Sequence, residues 1–302
     1  MSIFLLLEFS DAQELHIFYF CVFLAIYLIT ILGNILIVVL VAFEHHLHTP
    51  MYFFLMNLAM LDIGTISVMV PKSLGMSFMN SRSISSSGCV AQVFFYLFFA
   101  ATNFSVLTIM AQDCHVAICN PLQYERIMHK GACLQMIAIA WFTGLLYVIL
   151  HTGSTFAISF CSNIVHQFFC EVPQLIKLSC SDVYLIEVGL IVLSCSIGLG
   201  CFIFIIATYV QIFAAVLRIR SVPGQKKALS TCLPHLIIVS VFVFSSVFAY
   251  ASPLTDASSD LNIPFAVIYT LIPPILNPFI YSMRNKEIKS ALWEKIRSGA
   301  LP

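Results

Sequence analysis

The apolar residues of this chain run in long blocks, at about 18–42, 52–76, 90–112, 132–152, 184–214, 232–252 and 263–283. Each block has the roughly 20 residues that a helix needs to cross the hydrocarbon layer of a bilayer. Inside lipid every backbone amide and carbonyl must be satisfied within the protein. These blocks lack the short alternation of a membrane strand, so helices are the consistent element. The pattern predicts an all-α membrane protein, a single seven-helix bundle spanning residues 1–302 with a short tail at 284–302. The first block is too long for a signal-peptide core and no small-residue cleavage site follows it, so it is expected to be retained.

Composition agrees: 60% of the residues are hydrophobic and 9% charged, against about a quarter charged in ordinary soluble domains. The zero net charge hides an asymmetry. With the N-terminus outside, Arg126, Lys130, Arg218, Arg220, Lys226, Lys227, Arg284, Lys286, Lys289, Lys295 and Arg297 fall on the cytoplasmic side and only Lys72, Arg82 and Lys177 outside. That excess sets the orientation, with the C-terminus cytoplasmic. Glu8, Asp11, Glu14, Glu171, Asp182, Asp256 and Asp260 gather on or near the outer side. Nothing here points to nucleic acid as a partner, whereas membrane lipid is implied throughout.

Cysteines sort by the same sidedness, because disulfides persist on the oxidising face. Cys89, Cys161, Cys170 and Cys180 lie in outer loops or at their edges, and the remaining seven lie within spans or on the cytoplasmic side. Four outer cysteines permit two bridges in three pairings. Three of them sit in the one long connection, from about Thr152 to Asp182, which they can staple over the bundle mouth. Arg218 to Ser230 reads as a turn with basic edges, and Lys286, Ile288, Ala291, Leu292 and Ile296 give the tail an amphipathic pattern suited to a membrane surface.

Three polar groups stand out at membrane depth: Asn34, Asp62 and Asn277. Asp62 lies about ten residues inside its helix, too deep to reach water, so it needs partners, and the two asparagine amides can supply hydrogen bonds. A structural polar knot and an ion-linked switch both remain open.

Gly33-Asn34, Leu58-Ala59-Met60-Leu61-Asp62 and Asn277-Pro278-Phe279-Ile280-Tyr281 resemble the helix signatures of rhodopsin-like, class A G-protein-coupled receptors. Five longer strings resemble the olfactory (odorant) receptor branch of that family: Leu47–Leu55, Met110–Tyr124, His166–Cys180, Lys227–Leu236 and Pro273–Leu292. The resemblance runs in order from about Phe4 to Leu292. It implies bridges Cys89 to Cys170 and Cys161 to Cys180, and a switch network of Asn34, Asp62, Asn103, Asn277 and Tyr281. It also implies a cytoplasmic coupling surface at Asp113, Cys114, His115 and Lys227.

A ligand pocket is then expected in the outer halves of spans 3, 5, 6 and 7. Its inward candidates, placed relative to Asp113, His235 and Asn277, are Tyr96, Leu97, Ala100, Ala101, Val243, Ser246, Val247, Tyr250 and Thr270. Plain helix packing competes with ligand contact at each of them. As a group they describe a small apolar cavity with four hydroxyl side chains, suited to a volatile organic molecule rather than a peptide or a charged amine.

Four departures from the family pattern stand in the chain. Asp113-Cys114-His115 replaces the usual Asp-Arg-Tyr, Asn103 stands where an acid is common, Val243 where tyrosine is common, and the N-terminal segment has no Asn-x-Ser/Thr sequon. The sequon-like Asn103-Phe104-Ser105 lies inside a span, out of reach of a glycosyl transferase. His45, His46 and His48 have only Glu44 beside them and read as a solvated turn, and oxidation of Cys170 would remove the thiolate from a His166, Cys170 and Glu171 metal site, so no metal is expected. No catalytic motif is present, His235 reads as a helix-contact residue, and no cofactor is implied.

These observations point to an odorant receptor that binds a small hydrophobic odorant and signals through a stimulatory, olfactory-type heterotrimeric G protein at the plasma membrane. Two alternatives are a weakly or non-signalling receptor of the same fold, because Cys114 stands in the arginine position, and a small-solute transporter. The second calls for repeat symmetry and paired broken helices that the chain does not display.

Overall fold

The computed structural model describes residues 3–6, 13–79, 83–165, 167–180, 184–218, 221–251 and 267–278, with single positions 288, 290, 293 and 297. In chain order the elements are β1 (Ile3–Leu6), α1 (Gln13–Phe43), α2 (Pro50–Met79), β2 (Ser83–Ser85), α3 (Ser86–Cys119), α4 (Tyr124–Ile127), α5 (Lys130–Phe156), β3 (Ile164–Val165), α6 (Val172–Lys177), α7 (Tyr184–Leu217) and α8 (Val222–Ala251). A last helical stretch, α9 (Val267–Pro278), follows. Helices α1, α2, α3, α5 and α7 are long and apolar enough to cross a membrane, and His235–Tyr250 of α8 and α9 are shorter apolar segments. The long helices overrun the apolar blocks by several residues, because a membrane helix continues into the interfacial layers beyond the hydrocarbon.

Helix α3 is central, packed on α2, α5, α7 and α8, while α1 lies against α2. Two large buried clusters fill the bundle, beside a smaller one of Phe23, Ile66, Val70 and Leu271. One, toward the end where the basic residues gather, includes Leu58, Leu61, Leu107, Ile205 and Tyr209. The other, toward the disulfides, includes Phe4, Tyr96, Val148, Phe169 and Ile191. Leu193, Ile197, Ile203 and Val210 of α7 are exposed, as a lipid-facing surface requires. Lipid tails are as apolar as leucine, so helix association here rests on close packing and small residues. A Cβ on Gly144 would land on the Thr102 Oγ1 of α3, and one on Gly64 would land in the ring of Phe99.

The connection between α7 and α8 differs from its sequence reading as a turn from Arg218 to Ser230. Helix α8 already begins at Val222. Ser221 caps it, its Oγ accepting from the Gly224 N–H at 3.2 Å, and Pro223 falls in the first turn, where no helical N–H is missed. Gln225 to Leu229 are good helix formers, so the apolar block marks only the lipid-embedded part of the helix.

The opposite end carries a cap that helical periodicity does not announce. A three-stranded sheet, in the order β2-β1-β3, joins the N-terminal segment to the two loops beside it. Strand β1 pairs antiparallel with β2, Phe4 opposite Ile84, and parallel with β3, Leu6 opposite Val165. Phe4 and Leu6 point inward and are buried, while Ile3 and Leu5 point out. Cys89 is bonded to Cys170, with Cα atoms 5.5 Å apart, and Cys161 to Cys180, at 5.6 Å. Gln92 of α3 ties the same loop down: its Oε1 accepts from the Cys170 N–H at 2.9 Å.

Next to that bridge, Glu171 is only 4% exposed. Burial pushes its carboxyl up to about 7, against a smaller opposing pull from the Tyr269 hydroxyl. The folded chain therefore keeps this proton up to about pH 7, while the unfolded carboxyl releases it near 4.5. The resulting stabilisation is complete below about 4.5 and is lost as pH rises through 7, a difference of roughly 3 kcal/mol at most.

Two outcomes follow. In purified full-length protein in nanodiscs, melting temperature should fall between pH 5 and pH 8, and Glu171→Gln should flatten that fall; equal slopes would refute the assignment. Gly144→Val should destabilise the bundle by about 1–3 kcal/mol through overpacking against Thr102, whereas Gly189→Val, with open space around it, should leave thermal stability and surface yield nearly unchanged.

Candidate functional site

A cavity of about 650 Å³ lies between α3, α5, α7 and α8, toward the disulfide end. Tyr96, Leu97, Ala100 and Ala101 of α3 and Val243, Ser246, Val247 and Tyr250 of α8 line it. Thr270, named with them from sequence, does not. It is buried, but its neighbour Tyr269 takes the cavity-facing position. Successive residues of a helix point about 100° apart, and on α9 that step turns Tyr269 rather than Thr270 toward the cavity. The cavity also reaches farther toward α5 and α7 than the sequence candidates did, with Thr143, Gly144, Tyr147, Ile191, Ser194 and Gly198 on its wall. Gly144 thus both closes the α3–α5 contact and borders the cavity. The cavity surface is mostly apolar although eight of the 23 lining residues carry a hydroxyl, and Ser246 Oγ is buried there without a hydrogen-bond partner.

Below the cavity lies the polar knot. Asp62 is fully buried; its Oδ1 accepts from Asn103 Nδ2 at 2.8 Å and its Oδ2 from Asn277 Nδ2 at 2.7 Å. Helices α2, α3 and α9 are thereby joined through one carboxylate. Asn34 is not a direct partner of Asp62, although the sequence placed it there. Its Nδ2 donates to the Pro274 carbonyl at 3.1 Å and to the Thr30 carbonyl at 2.9 Å. The reason is local. Pro278 has no N–H, so the carbonyl four residues earlier, that of Pro274, loses its helical donor, and a side chain from α1 supplies one. Gly33 permits the approach: a Cβ there would lie 3.1 Å from the Pro278 ring. Tyr281 lies outside the described residues.

At the basic end, Asp113 is buried and its Oδ1 accepts from the Tyr124 hydroxyl at 2.8 Å. Burial first, and then the neighbouring Asp113 charge, push the Tyr124 hydroxyl far above its ordinary range, so it remains a donor at every physiological pH. His115 Nε2 meets Gln211 Oε1 of α7 at 2.8 Å. Cys114 is half-buried between them in sequence. Higher in the bundle, the Tyr209 hydroxyl meets His235 Nδ1 at 2.8 Å, the helix contact expected of that histidine. The side chain of Lys227 and all of His166 lie outside the described residues.

One polar cluster escaped the sequence reading. His151 of α5 and Glu187 of α7 are buried and meet at 2.6 Å, Nδ1 to Oε1. His151 Nε2 lies 2.9 Å from Ser194 Oγ, and the Ser154 hydroxyl donates to the other Glu187 oxygen. The signal was present in an acid inside an apolar block. Glu187 stands near the start of that block, where an acid is unremarkable, and a partner 36 positions away is invisible to local pattern.

The olfactory receptor family model matches residues 21–297. Human olfactory receptor 14A16 is 46% identical over 290 residues, covering 96% of this chain and 94% of the relative. Human olfactory receptor 14C36 is 47% identical over 290 residues, covering 96% and 93%, and human olfactory receptor 14J1 is 42% identical over 303 residues, covering 100% and 94%. With a helical bundle of apolar segments and a match that leaves almost none of the chain out, the protein belongs to the olfactory receptor family of G-protein-coupled receptors, a non-enzymatic, multi-pass protein of the plasma membrane with the seven-helix fold.

Proposed function

We propose that this chain is an odorant receptor whose ligand site is the 650 Å³ cavity, with the disulfide end outside the cell and the basic end turned to a stimulatory G protein. The cavity carries the reading. Its volume and mainly apolar wall suit a small volatile molecule, and its hydroxyls suit one that carries a polar group. Phe104 of α3 stacks on Phe242 of α8 at 5.8 Å on the cavity wall, so a ligand wedged there biases the position of α8 relative to α3. The Asp62 knot gives the bundle a second polar joint that two arrangements can share, and the ligand shifts the population between them.

Coupling is the weak link, and Cys114 is the reason. A thiol offers no fixed charge and no fork of donors to a G protein, whereas a guanidinium offers both. Asp113 does not need the arginine to stay satisfied, because Tyr124 already donates to it. The missing arginine therefore costs contact to the partner far more than it loosens the resting state. Truncating a charge-assisted contact at a desolvated interface costs about 2–5 kcal/mol.

In a cAMP reporter assay with an odorant panel and surface expression measured in parallel, Cys114→Arg should raise the maximal response several-fold with little change in half-maximal concentration. A full wild-type response that the arginine variant does not exceed would overturn the coupling claim. Ala101→Phe, which fills the cavity wall, should abolish the response of either background at unchanged surface level; undiminished signalling would place the ligand elsewhere.

A further inference from the structure

Helix α7 is packed at its two ends and unpacked in between. Glu187 and Ile191 near its outer end are buried, as are Ile205, Thr208 and Tyr209 farther down, but no residue from 192 to 204 is. A helix packed along its length turns a residue inward every three or four positions. On this stretch the inward positions are Ser194, Gly198 and Cys201, which are half-buried and line the cavity instead of meeting another helix. A Cβ added to Gly198 would meet nothing within 4 Å.

The cavity also reaches the outer surface of the bundle here. Thr143 and Leu146 of α5 and Cys195, Ile197 and Leu199 of α7 line it and are exposed as well. Ile197 and Leu199 flank Gly198 by one helical step of about 100° on either side, so they form the edges of the inward face, and Ile197 is 60% exposed. Outward of this point the two helices are pinned by the 2.6 Å contact between His151 and Glu187, and below it α7 rejoins the packed bundle at Ile205 and Tyr209. Gly198 stands near the middle of α7, so the gap opens at the depth of the hydrocarbon layer. We propose that this gap between α5 and α7 is a portal through which a hydrophobic ligand passes from the bilayer into the cavity. The inference rests on the reading of the cavity as the ligand site and adds the route by which the ligand arrives.

Toward the disulfide end, by contrast, the cavity is roofed. Phe169, Cys170 and Leu175 are buried in one cluster with Tyr96, Leu97 and Ile191 of the cavity wall, and the bridge from Cys170 to Cys89 holds that loop to α3. Among the described residues, cover therefore lies on the aqueous side and the opening on the lipid side. Partitioning favours the same direction. Each methylene group moved from water into the bilayer raises a ligand's concentration there about fourfold, so a molecule with a short hydrocarbon chain gathers around the rim before it binds. The rim suits its passage: Leu146, Ile197 and Leu199 are apolar, and the Thr143 hydroxyl already donates to the Ile139 carbonyl at 2.8 Å.

Binding kinetics test the route, with 1-aminoanthracene as a mainly apolar fluorescent probe of the full-length protein in nanodiscs. Stopped-flow mixing gives association, and dilution into excess empty nanodiscs gives dissociation. The signal that remains in Ala101→Phe is lipid background and is subtracted. A portal sets the barrier and not the bound state, so narrowing it slows entry and exit by the same factor. The double variant Leu146→Trp, Ile197→Trp should slow both rates about tenfold and leave Kd within about threefold of wild type. If the double variant does not fold, each single variant should slow both rates a few-fold. Leu193→Trp, exposed on α7 but off the cavity wall, should leave both rates unchanged. Unchanged rates in the folded rim variants, a loss of affinity carried by dissociation alone, or equal slowing in Leu193→Trp overturns the portal while leaving the ligand site in place. A wild-type signal no larger than that of Ala101→Phe overturns the ligand site and this inference together.

Discussion

The constraint on which this structure depends is that lipid offers no hydrogen bonds. A helix satisfies its own backbone, but Pro278 in α9 deprives the Pro274 carbonyl of its donor, and no water at that depth can replace it. Asn34 reaches across from α1 to fill the gap at 3.1 Å, and the bare Gly33 lets the two helices come close enough. One missing N–H thus fixes the contact between α1 and α9. On the next turn of α9, Asn277 binds Asp62, whose other oxygen holds Asn103 of α3. Four helices are registered against one another by a proline, a glycine, three asparagines and one carboxylate, in an interior where apolar packing alone would leave helices free to slide.

That registry was partly legible in the sequence. Asn34, Asp62 and Asn277 stand out because an apolar block makes any polar residue conspicuous, and the number of helices follows from block length. The wiring was not legible. Asn34 serves a backbone carbonyl, and a carbonyl orphaned by proline is visible only once the question is asked of each residue four places before a proline. Thr270 shows the matching limit for the cavity: on α9 the lining residue is its neighbour Tyr269, a difference of one helical step of about 100° that block patterning does not resolve. Block patterning was also silent about the cap. Ile3, Phe4, Leu5 and Leu6 are all apolar, so no alternation marks a strand, and the alternation of burial appears only when β1 lies between its two partners.

The cap and the cavity belong to one mechanical unit. The bridge from Cys89 to Cys170 and the hydrogen bond from the Cys170 N–H to Gln92 hold the loop to the top of α3, and α3 also supplies one wall of the cavity through Tyr96, Leu97, Ala100 and Ala101. Glu171, next in sequence, then lies beneath the loop near Tyr269, which itself faces the cavity. Deprotonating this carboxyl would put a charge into an otherwise apolar neighbourhood beside the cavity, so pH bears on the roof of the cavity through a single residue.

At the opposite end the same economy of polar groups explains how Cys114 is tolerated. In a receptor with arginine at this position, the acid before it finds its partner one residue away. Here the acid is Asp113, buried to 3% exposure, and leaving it unpaired would be costly at that depth. Tyr124, eleven residues on, lies where the short helix α4 follows the turn at Pro121 and brings its hydroxyl back onto α3 at 2.8 Å. Folding and resting-state order therefore do not require the arginine. In the function proposed above, the arginine's charge serves the encounter with a G protein, so a thiol at Cys114 separates the assembly of the bundle from the reporting of a bound ligand.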